Sequence, residues 1–454
     1  MIVEIIQLFE FTKSLVFRLL MVAAILNIIS MVSMFLLAKR HKPCLEDPLT
    51  NLKYTAIVPT HNEIPEVFDR CLASIKRQTI PPERIIVVIS PEETELIEIA
   101  RRHDCFIISK SMKKRDALAY ASRLADSEFL LFVDSDTILE KDCVEELSRC
   151  FHDKNTALAS PRKFVMRFFD NFAEDFSRLI EYGRHIIDSA LHPCLVVADG
   201  KCNLWRRSAV ISLLDRYIND KIFGKRVIIG EDRQLTRLAL MNGWKTFYQT
   251  TAMVSTLSPP DTISLVKQQI RWARSGYLYW FRDIRDGLFW KVPLAWKLHT
   301  GSYFLMPWFL IVALTYDAMA TPHLLVYNFF PSSPLQILIN ALILLSGLTL
   351  WTYFRKVLLC LPKKVSIFDT AKFGVFGFFA MFPVMLFSSI TFANDGWLTR
   401  GGRNNSNGDE ELVKVVTRIT KLKEFLMRNC WPIFFCLGGS GLFFVVSASA
   451  YVHY

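Results

Sequence analysis

Two kinds of hydrophobic pattern divide this chain. Near its ends, apolar residues run together without charges, and the first such run covers residues 19–38. A helix of that length, rising about 1.5 Å per residue, can cross a hydrocarbon core of roughly 30 Å. Between the ends, from about Lys53 to Thr256, short apolar stretches alternate with amphipathic ones. The pattern predicts one globular domain inserted between transmembrane helices.

Within the middle region, β-rich runs alternate with helical periodicity. The predicted strands are residues 54–59, 85–89, 106–108 and 129–133, and the predicted helices lie near residues 66–78, 92–102 and 113–126. Such alternation indicates an α/β domain whose mostly parallel sheet is covered on both faces. Ligands bind at the carboxyl ends of the strands in sheets of this kind. We therefore look for chemistry where the strands end.

Three later apolar runs, residues 300–315, 335–353 and 432–451, are also span candidates. If the chain crosses the membrane at these runs, the loops rich in Lys and Arg lie on the same side of the membrane as the middle domain. The loop of residues 318–334, on the other side, contains no Lys or Arg. The positive-inside rule then places the domain in the cytoplasm and the N-terminus outside. All basic loops fall on the cytoplasmic side only if the chain crosses the membrane about four times and residues 373–392 do not cross but lie in the interface or form a re-entrant helix. The plasma membrane is the expected location.

The predicted organisation has seven segments. They are an N-terminal transmembrane helix (14–42), a cytoplasmic catalytic domain (43–258), interfacial amphipathic helices (259–292), a transmembrane hairpin (293–354), an interfacial or re-entrant helix (365–393), a loop with a basic cytoplasmic segment (394–431) and a C-terminal transmembrane helix (432–454). A cleaved signal peptide is the alternative for the first segment. Against it, no small-residue cleavage site follows, and Lys39-Arg40-His41-Lys42 is typical of a cytoplasmic anchor.

Composition supports a protein that is partly membrane-embedded. The 454 residues are 52% hydrophobic and 21% charged. A net charge of +11 could indicate binding to nucleic acid, but the basic residues cluster beside the predicted membrane segments and around the strand ends where a nucleotide is expected to bind. Anionic lipid and phosphate are the partners this distribution favours, and no nucleic acid is expected. The ten cysteines form no C-x-x-C pair and are expected to be reduced.

Asp134 and Asp136 directly follow a predicted buried strand. In extended chain, residues two apart project to the same side, so both carboxylates can face one divalent cation. Mg²⁺ or Mn²⁺ takes one or two carboxylates and completes its shell with water and a diphosphate. The alternative is a solvated pair of turn residues.

Glu231 and Asp232 follow Gly230 and begin an amphipathic helix. Carboxylates are favoured at a helix N-terminus, so a simple capping role is one interpretation. The other is that one of them is a general base, which must be partly buried to raise its pKa.

Gln268, Arg271 and Trp272 lie on one face of a predicted helix. Arginine offers a planar set of donors to phosphate, and tryptophan offers an apolar face to a sugar ring. An interfacial helix that meets lipid headgroups is the alternative, and both can hold at a membrane surface. Lys114 and Arg115 begin another helix and could face phosphate, or form a solvated basic turn.

Together these motifs resemble the family 2 processive glycosyltransferases, particularly the hyaluronan and chitin-type synthases. The matching strings, in family order, are Asp134-Ser-Asp-Thr137, Gly230-Glu-Asp-Arg-Gln-Leu-Thr236, Tyr248-Gln-Thr250, Gln268-Gln-Ile-Arg-Trp272 and Trp397-Leu-Thr-Arg400. The resemblance covers nearly the whole chain. It implies a GT-A-type domain, inverting transfer from a UDP-sugar donor to a growing polysaccharide acceptor, and Mn²⁺ or Mg²⁺ as cofactor.

The resemblance also implies roles for individual residues. Asp232 would be the base, with Glu231 as its neighbour. Thr60, Asn62 and Glu63 would lie at the uridine, Lys114, Arg115 and Arg271 at the diphosphate, and Asp134 and Asp136 at the nucleotide and metal. Gly200 would line the acceptor pocket, Trp272 would hold the acceptor sugar, Gln268 and Gln269 would bind substrate, and Trp397, Thr399 and Arg400 would lie in a loop over UDP.

Several positions depart from the family pattern. Ser90 stands where the family often has Asp, the acceptor segment contains Lys201 and Asn203, and Leu398 replaces a usual Gly. A homo-oligomer is also considered. Two alternatives to a processive synthase stay open: a transferase that adds one sugar to a lipid or lipid-linked acceptor, and a catalytically silent membrane channel or scaffold.

Overall fold

The computed structural model describes residues 15–320 and 366–393, together with residues 342, 345–350 and 352–353. In chain order its elements are α1 (Leu15–Ala38), β1 (Tyr54–Pro59), α2 (Pro65–Lys76), β2 (Arg84–Ile89), α3 (Thr94–Arg102), β3 (Phe106–Ser109), α4 (Lys114–Leu124), β4 (Phe129–Val133), β5 (Thr137–Leu139), α5 (Cys143–Ser148), a 3₁₀ turn (Arg149–Phe151), β6 (Thr156–Val165), α6 (Phe172–Leu191), β7 (Cys202–Arg206), α7 (Arg207–Ile218), β8 (Lys221–Ile222), β9 (Lys225–Arg226), α8 (Glu231–Met241), β10 (Lys245–Thr256), α9 (Thr262–Arg285), α10 (Leu288–Lys291), α11 (Leu294–Ala320), α12 (Ile367–Phe376), a π-helical turn (Gly377–Met381) and α13 (Phe382–Ile390).

An eight-stranded sheet with the order β3-β2-β1-β4-β7-β6-β10-β5 organises the domain. The first half, β3-β2-β1-β4, is parallel throughout, as the alternating pattern predicts. In the second half, β7 runs antiparallel to both β4 and β6, while β10 is parallel to β6. A short β5 pairs antiparallel with β10 at the edge. The prediction of a mostly parallel α/β sheet is confirmed.

Both faces of the sheet are buried, which explains why its strands are continuously apolar. In β1, Ala56 and Val58 pack into one core cluster and Ile57 packs into the other. Side chains alternate across a strand, so a strand covered on both faces needs apolar residues at every position. β4 is buried along its whole length and ends immediately before Asp134. The first acidic pair thus lies at a carboxyl end of the parallel half.

The apolar helices pack beside the domain rather than within the sheet. Among the described residues, one helix, Ile367–Ile390, is long and apolar enough to cross a membrane. It packs on α6 and α9, and the rings of Phe176 and Phe376 meet edge to face at 4.8 Å. In α1, apolar side chains such as Leu36 are exposed, at 56%. The predicted four spans, and the prediction that residues 373–392 do not cross, stay predictions.

Candidate active site

The carboxyl ends of β1 and β4, the turn before β7 and the N-terminus of α8 meet in one cleft. Pro59, Lys114, Asp134, Gly200 and Asp232 are among the residues that line it. These residues come from five separate stretches of sequence. The sheet order brings them together because β1, β4 and β7 are neighbours.

Lys114 joins the two acidic motifs. Its Nζ lies 2.5 Å from Oδ1 of Asp134 and 3.1 Å from Oε1 of Glu231. Burial disfavours the ammonium charge, but the two carboxylates more than compensate and raise the pKa of Lys114. The lysine is therefore charged, and it holds a strand end and a helix start at a fixed separation.

Asp232 is held by two backbone amides. Gly200 N donates to its Oδ2 at 2.9 Å, and Arg233 N donates to its Oδ1 at 2.7 Å. Burial, with the neighbouring charge of Glu231, raises the pKa of Asp232 to about 6. For Glu231, burial also raises the pKa, but the charges of Lys114 and Arg271 prevail and lower it. Of the two adjacent carboxylates, Asp232 is the one able to accept a proton near neutral pH.

Gly230 sets the start of α8. Its backbone is left-handed, with φ of +65°, a conformation that side-chain-bearing residues rarely adopt. A Cβ at this position would also lie 2.7 Å from Cε2 of Tyr279 on α9. Glycine is therefore required both for the turn and for the close approach of α9.

Asp134 and Asp136 are the candidate ligands for a divalent cation. The chain turns between them instead of staying extended as the sequence argument assumed, because Thr137 N donates to the Asp134 carbonyl at 3.0 Å. Oδ1 of Asp136 accepts hydrogen bonds from the hydroxyls of Thr137 at 3.3 Å and Thr256 at 3.5 Å. No group of three or more potential metal ligands occurs in the described residues. Mg²⁺ and Mn²⁺ need only one or two carboxylates when a diphosphate supplies further oxygens, so this sparse donor set suits them.

The end of β1 forms a polar rim. Thr60 is buried, and its amide donates to the Val88 carbonyl at 2.8 Å. Asn62 has φ of +52°, and its amide donates to Oε2 of Glu93 at 2.8 Å. Oε1 of Glu63 accepts from Ser135 Oγ at 2.9 Å, so the rim is tied to the acidic turn between Asp134 and Asp136.

Trp272 lies beside the turn that contains Gly200. The centroid of its ring is 5.7 Å from Nζ of Lys201 and 5.8 Å from the guanidinium carbon of Arg184. Arg271 is close enough to lower the pKa of Glu231 through its charge. Gln268 and Gln269 lie on the preceding turn of α9 and are partly buried.

The structure differs from the sequence-based expectation at Arg115. Its guanidinium does not face the cleft with Lys114 but is buried, 2% exposed, against the Tyr217 carbonyl and Tyr279. The expected diphosphate contact is therefore not supported. Trp397, Thr399 and Arg400 lie outside the described residues, as do the segments 394–431 and 432–454.

Sequence reasoning assigned no role to Glu93, and it noted Lys201 only as a departure from the family pattern in the acceptor segment. Glu93 organises the rim through Asn62, and it also contacts His61 Nδ1 at 2.7 Å. Lys201, beside Trp272, is held by Glu181 at 2.5 Å and Asp199 at 3.4 Å. The position of Glu93, shortly after the end of β2, could have suggested a role at the site. The contact of Lys201 with Glu181 could not have been predicted, because the two residues are far apart in the sequence.

Comparison with known proteins identifies the domain. Residues 51–275 match the family model described as "Glycosyltransferase like family 2". These residues form a glycosyltransferase family 2 domain. The prediction that the chain is a glycosyltransferase is confirmed, and so is the resemblance to the hyaluronan synthases.

Full-length relatives extend the likeness past this domain. The chain is 28% identical over 367 residues to a hyaluronan synthase of Streptococcus pyogenes serotype M1, covering 77% of this chain and 83% of the relative. It is 27% identical over 375 residues to an N-acetylglucosaminyltransferase of Mesorhizobium japonicum, covering 77% and 82%.

A solved structure shows the same fold. A mannosyltransferase from Pyrobaculum calidifontis, in complex with GDP-Man and Mn²⁺, superimposes with a TM-score of 0.53 at 18% identity, covering 82% of this chain and 98% of that one. The predicted GT-A-type fold is confirmed.

Proposed function

We propose that this protein is an inverting, processive glycosyltransferase that extends a β-linked polysaccharide from a UDP-sugar and passes the product across a membrane. The observation that carries the proposal is the position of Asp232. Its carboxylate is fixed by the Gly200 amide at 2.9 Å, has a pKa raised to about 6, and belongs to the same cleft as Lys114 and Asp134. A base, a phosphate-binding cation and a candidate metal ligand thus share one site.

In the proposed reaction, Asp232 takes the proton from an acceptor hydroxyl. The hydroxyl oxygen forms a bond to the anomeric carbon of the donor as the bond from that carbon to UDP breaks. Lys114 and Arg271 would offset the negative charge that develops on the departing diphosphate. A bound Mn²⁺ or Mg²⁺, held by Asp136 with Asp134, would add positive charge at the same oxygens.

The donor and acceptor assignments rest on the relatives and on α9. A relative named as an N-acetylglucosaminyltransferase makes UDP-N-acetylglucosamine the first donor to test. The Mn²⁺ bound to the mannosyltransferase supports a divalent cofactor. Trp272, with Lys201 and Arg184 at its ring, is suited to hold the terminal sugar of an acceptor.

The proposed topology puts the catalytic domain in the cytoplasm and the N-terminus outside, with lipid around the apolar helices. Exposed apolar side chains on α1 support its insertion in the membrane, and the apolar character of Ile367–Ile390 supports contact of that helix with lipid at the interface. Translocation of the product, and any homo-oligomer that would complete a channel, belong to this proposal.

The test uses membranes that contain the full chain. They are incubated with labelled UDP-N-acetylglucosamine, and then with other UDP-sugars alone and in pairs, plus Mn²⁺ or Mg²⁺. We expect labelled product of high mass that linkage-specific hydrolases digest. A product of one sugar on lipid would favour the non-processive alternative. UDP release no higher than in membranes without the protein, for every donor, would favour a silent channel or scaffold.

A further inference from the structure

A buried polar network begins one residue beyond Lys114. Arg115 Nη1 donates to the Tyr217 carbonyl at 2.8 Å. Its Nη2 donates to the Ile229 carbonyl at 3.3 Å and to Oη of Tyr279 at 3.1 Å. One guanidinium therefore connects α4 to α7, to the segment just before α8, and to α9.

Asp220 is the acidic partner in this network. Its Oδ2 accepts from Tyr279 Oη at 2.9 Å and from Arg115 Nη1 at 3.4 Å. Its Oδ1 accepts from Arg282 Nη1 at 2.5 Å, and Arg282 Nη2 donates to the Lys221 carbonyl at 2.6 Å. The hydroxyl of Tyr279 thus accepts from Arg115 and donates to Asp220, so removing it affects both partners.

The network acts on the backbone that leads into the catalytic carboxylates. Ile229, whose carbonyl Arg115 holds, lies two residues before Glu231 and three before Asp232. The next residue, Gly230, is in contact range of the Tyr279 ring. Meanwhile Lys114 contacts Glu231 directly. The adjacent residues Lys114 and Arg115, at the start of α4, therefore both fix the start of α8: Lys114 through the side chain of Glu231, and Arg115 through the carbonyl of Ile229.

The cost of burying these charges suggests a positional role. Replacing a buried ion pair by apolar residues is often neutral or stabilising, so such a network is weak evidence for a contribution to stability. It does restrict the arrangement of the groups it joins. Catalytic groups must keep their geometry closely, since a shift of about 1 Å can slow a reaction roughly 100-fold.

We propose that Arg115 and Tyr279 are positioning residues that fix the start of α8, and with it Asp232, relative to Lys114 and to α9. This inference rests on the proposed function, because it assumes that Asp232 acts in transfer. It predicts that Arg115 affects kcat, through the position of Asp232, and not the binding of the donor.

The test compares two tyrosines of α9 in the full-length protein in membranes. Tyr279→Phe deletes the shared hydroxyl but keeps the ring beside Gly230. Tyr277→Phe is the matched control, because the hydroxyl of this buried tyrosine donates to the Phe304 carbonyl at 3.0 Å and lies next to Ser389, outside the network of Arg115 and Asp220. We expect Tyr279→Phe to lower kcat about 10-fold while the KM for donor and the Kd for UDP stay within about twofold. Tyr277→Phe should keep kcat.

Three outcomes would overturn the proposal: kcat unchanged in Tyr279→Phe, equal losses in both variants with equal losses in Tm, or a change confined to KM. Arg115→Lys should recover part of the turnover lost in Arg115→Met, since a lysine can reach some of the same acceptors. Arg123→Met, at an exposed arginine of the same helix, serves as the control.

Asp232→Asn, measured in parallel, separates this inference from the proposed function. If Asp232→Asn is inactive and Tyr279→Phe is normal, only the positioning role fails. If Asp232→Asn keeps full turnover, the assignment of the base fails first.

Discussion

The backbone amide of Gly200 donates a 2.9 Å hydrogen bond to Oδ2 of Asp232. Gly200 begins the turn before β7, whereas Asp232 lies in the first turn of α8. The bond aligns the carboxylate against the segment expected to line the acceptor pocket. It also uses only one of the lone pairs of that oxygen, so the carboxylate can still accept a proton. The geometry suits a base that works beside an acceptor hydroxyl.

Asp232→Asn tests the base directly. Asparagine keeps the size of the side chain, and its single oxygen can accept one of the two amide hydrogen bonds, from Gly200 or from Arg233, but it cannot take a proton. We expect kcat to fall about 10²- to 10⁴-fold, with UDP binding retained. Asp215→Asn is the control, because that carboxylate on α7 is 92% exposed. Equal turnover in the two variants would contradict the assignment.

The pH dependence should report the same carboxylate. An ordinary aspartate would stay ionised down to pH 4, but burial and Glu231 raise the pKa of Asp232 to about 6. The base works only when deprotonated, so kcat/KM should fall tenfold for each unit of pH below about 6. Initial rates of UDP release from pH 4.5 to 8 would measure this limb. A rate that stays constant down to about pH 4.5 would argue against a raised pKa.

The adjacent pair Lys114 and Arg115 shows what sequence alone can predict. Both were expected at phosphate because both are basic and begin a helix. Neighbouring residues in a helix point in different directions, so the two could not share one ligand equally. Lys114 faces Asp134 and Glu231, while Arg115 faces Tyr217 and Tyr279. Residue type predicted the charge, and helix geometry decided its direction.

The sheet also has features that the sequence predicts and features that it does not. β1 and β4 have the predicted bounds because strands buried on both faces are continuous apolar runs. The antiparallel direction of β7 has no such local signal, since it depends on how α6 and the following turn pack. Contacts such as Lys201 with Glu181 likewise join residues far apart in the chain. Motifs and strands were predictable, whereas the polar contacts that hold them were not.

Gly200→Ala should disturb the contact between the acidic motifs. A Cβ at this position would lie 2.7 Å from Nζ of Lys114. That nitrogen could move only by weakening its contacts with Asp134 and Glu231. We expect kcat/KM to fall about 10-fold or more.

Gly183→Ala provides the comparison for Gly200→Ala. A Cβ at Gly183, within α6, would meet no atom within 4 Å. This variant should keep wild-type rates and, by helix propensity, be equally or slightly more stable, by up to about 1 kcal/mol. Equal activity of the two alanine variants would show that the Lys114 contact tolerates displacement.

Metal removal should abolish transfer if Asp136 holds the cation. EDTA is expected to stop UDP release, and added Mn²⁺ or Mg²⁺ should restore it. Asp136→Asn should raise the metal concentration needed for half-maximal rate, because a neutral amide binds a hard cation more weakly than a carboxylate. Asp142→Asn, at an exposed residue before α5, is the control. Full activity in EDTA would contradict a metal-dependent mechanism.

Trp272 should govern product length more than the first transfer. Its ring lies beside Lys201 and Arg184 near the acceptor turn, on the same helix as Arg271. Losing an aromatic contact worth about 1 kcal/mol would speed acceptor release roughly fivefold. Trp272→Ala should therefore shift labelled product to shorter chains, while Trp272→Phe keeps most of the length.

Trp290→Ala, at a tryptophan that is 65% exposed, controls for effects of tryptophan loss near the membrane. Product sizing at equal total transfer separates length from rate. If Trp272→Ala made chains of normal length at a lower rate, its ring would serve transfer rather than retention of the polymer.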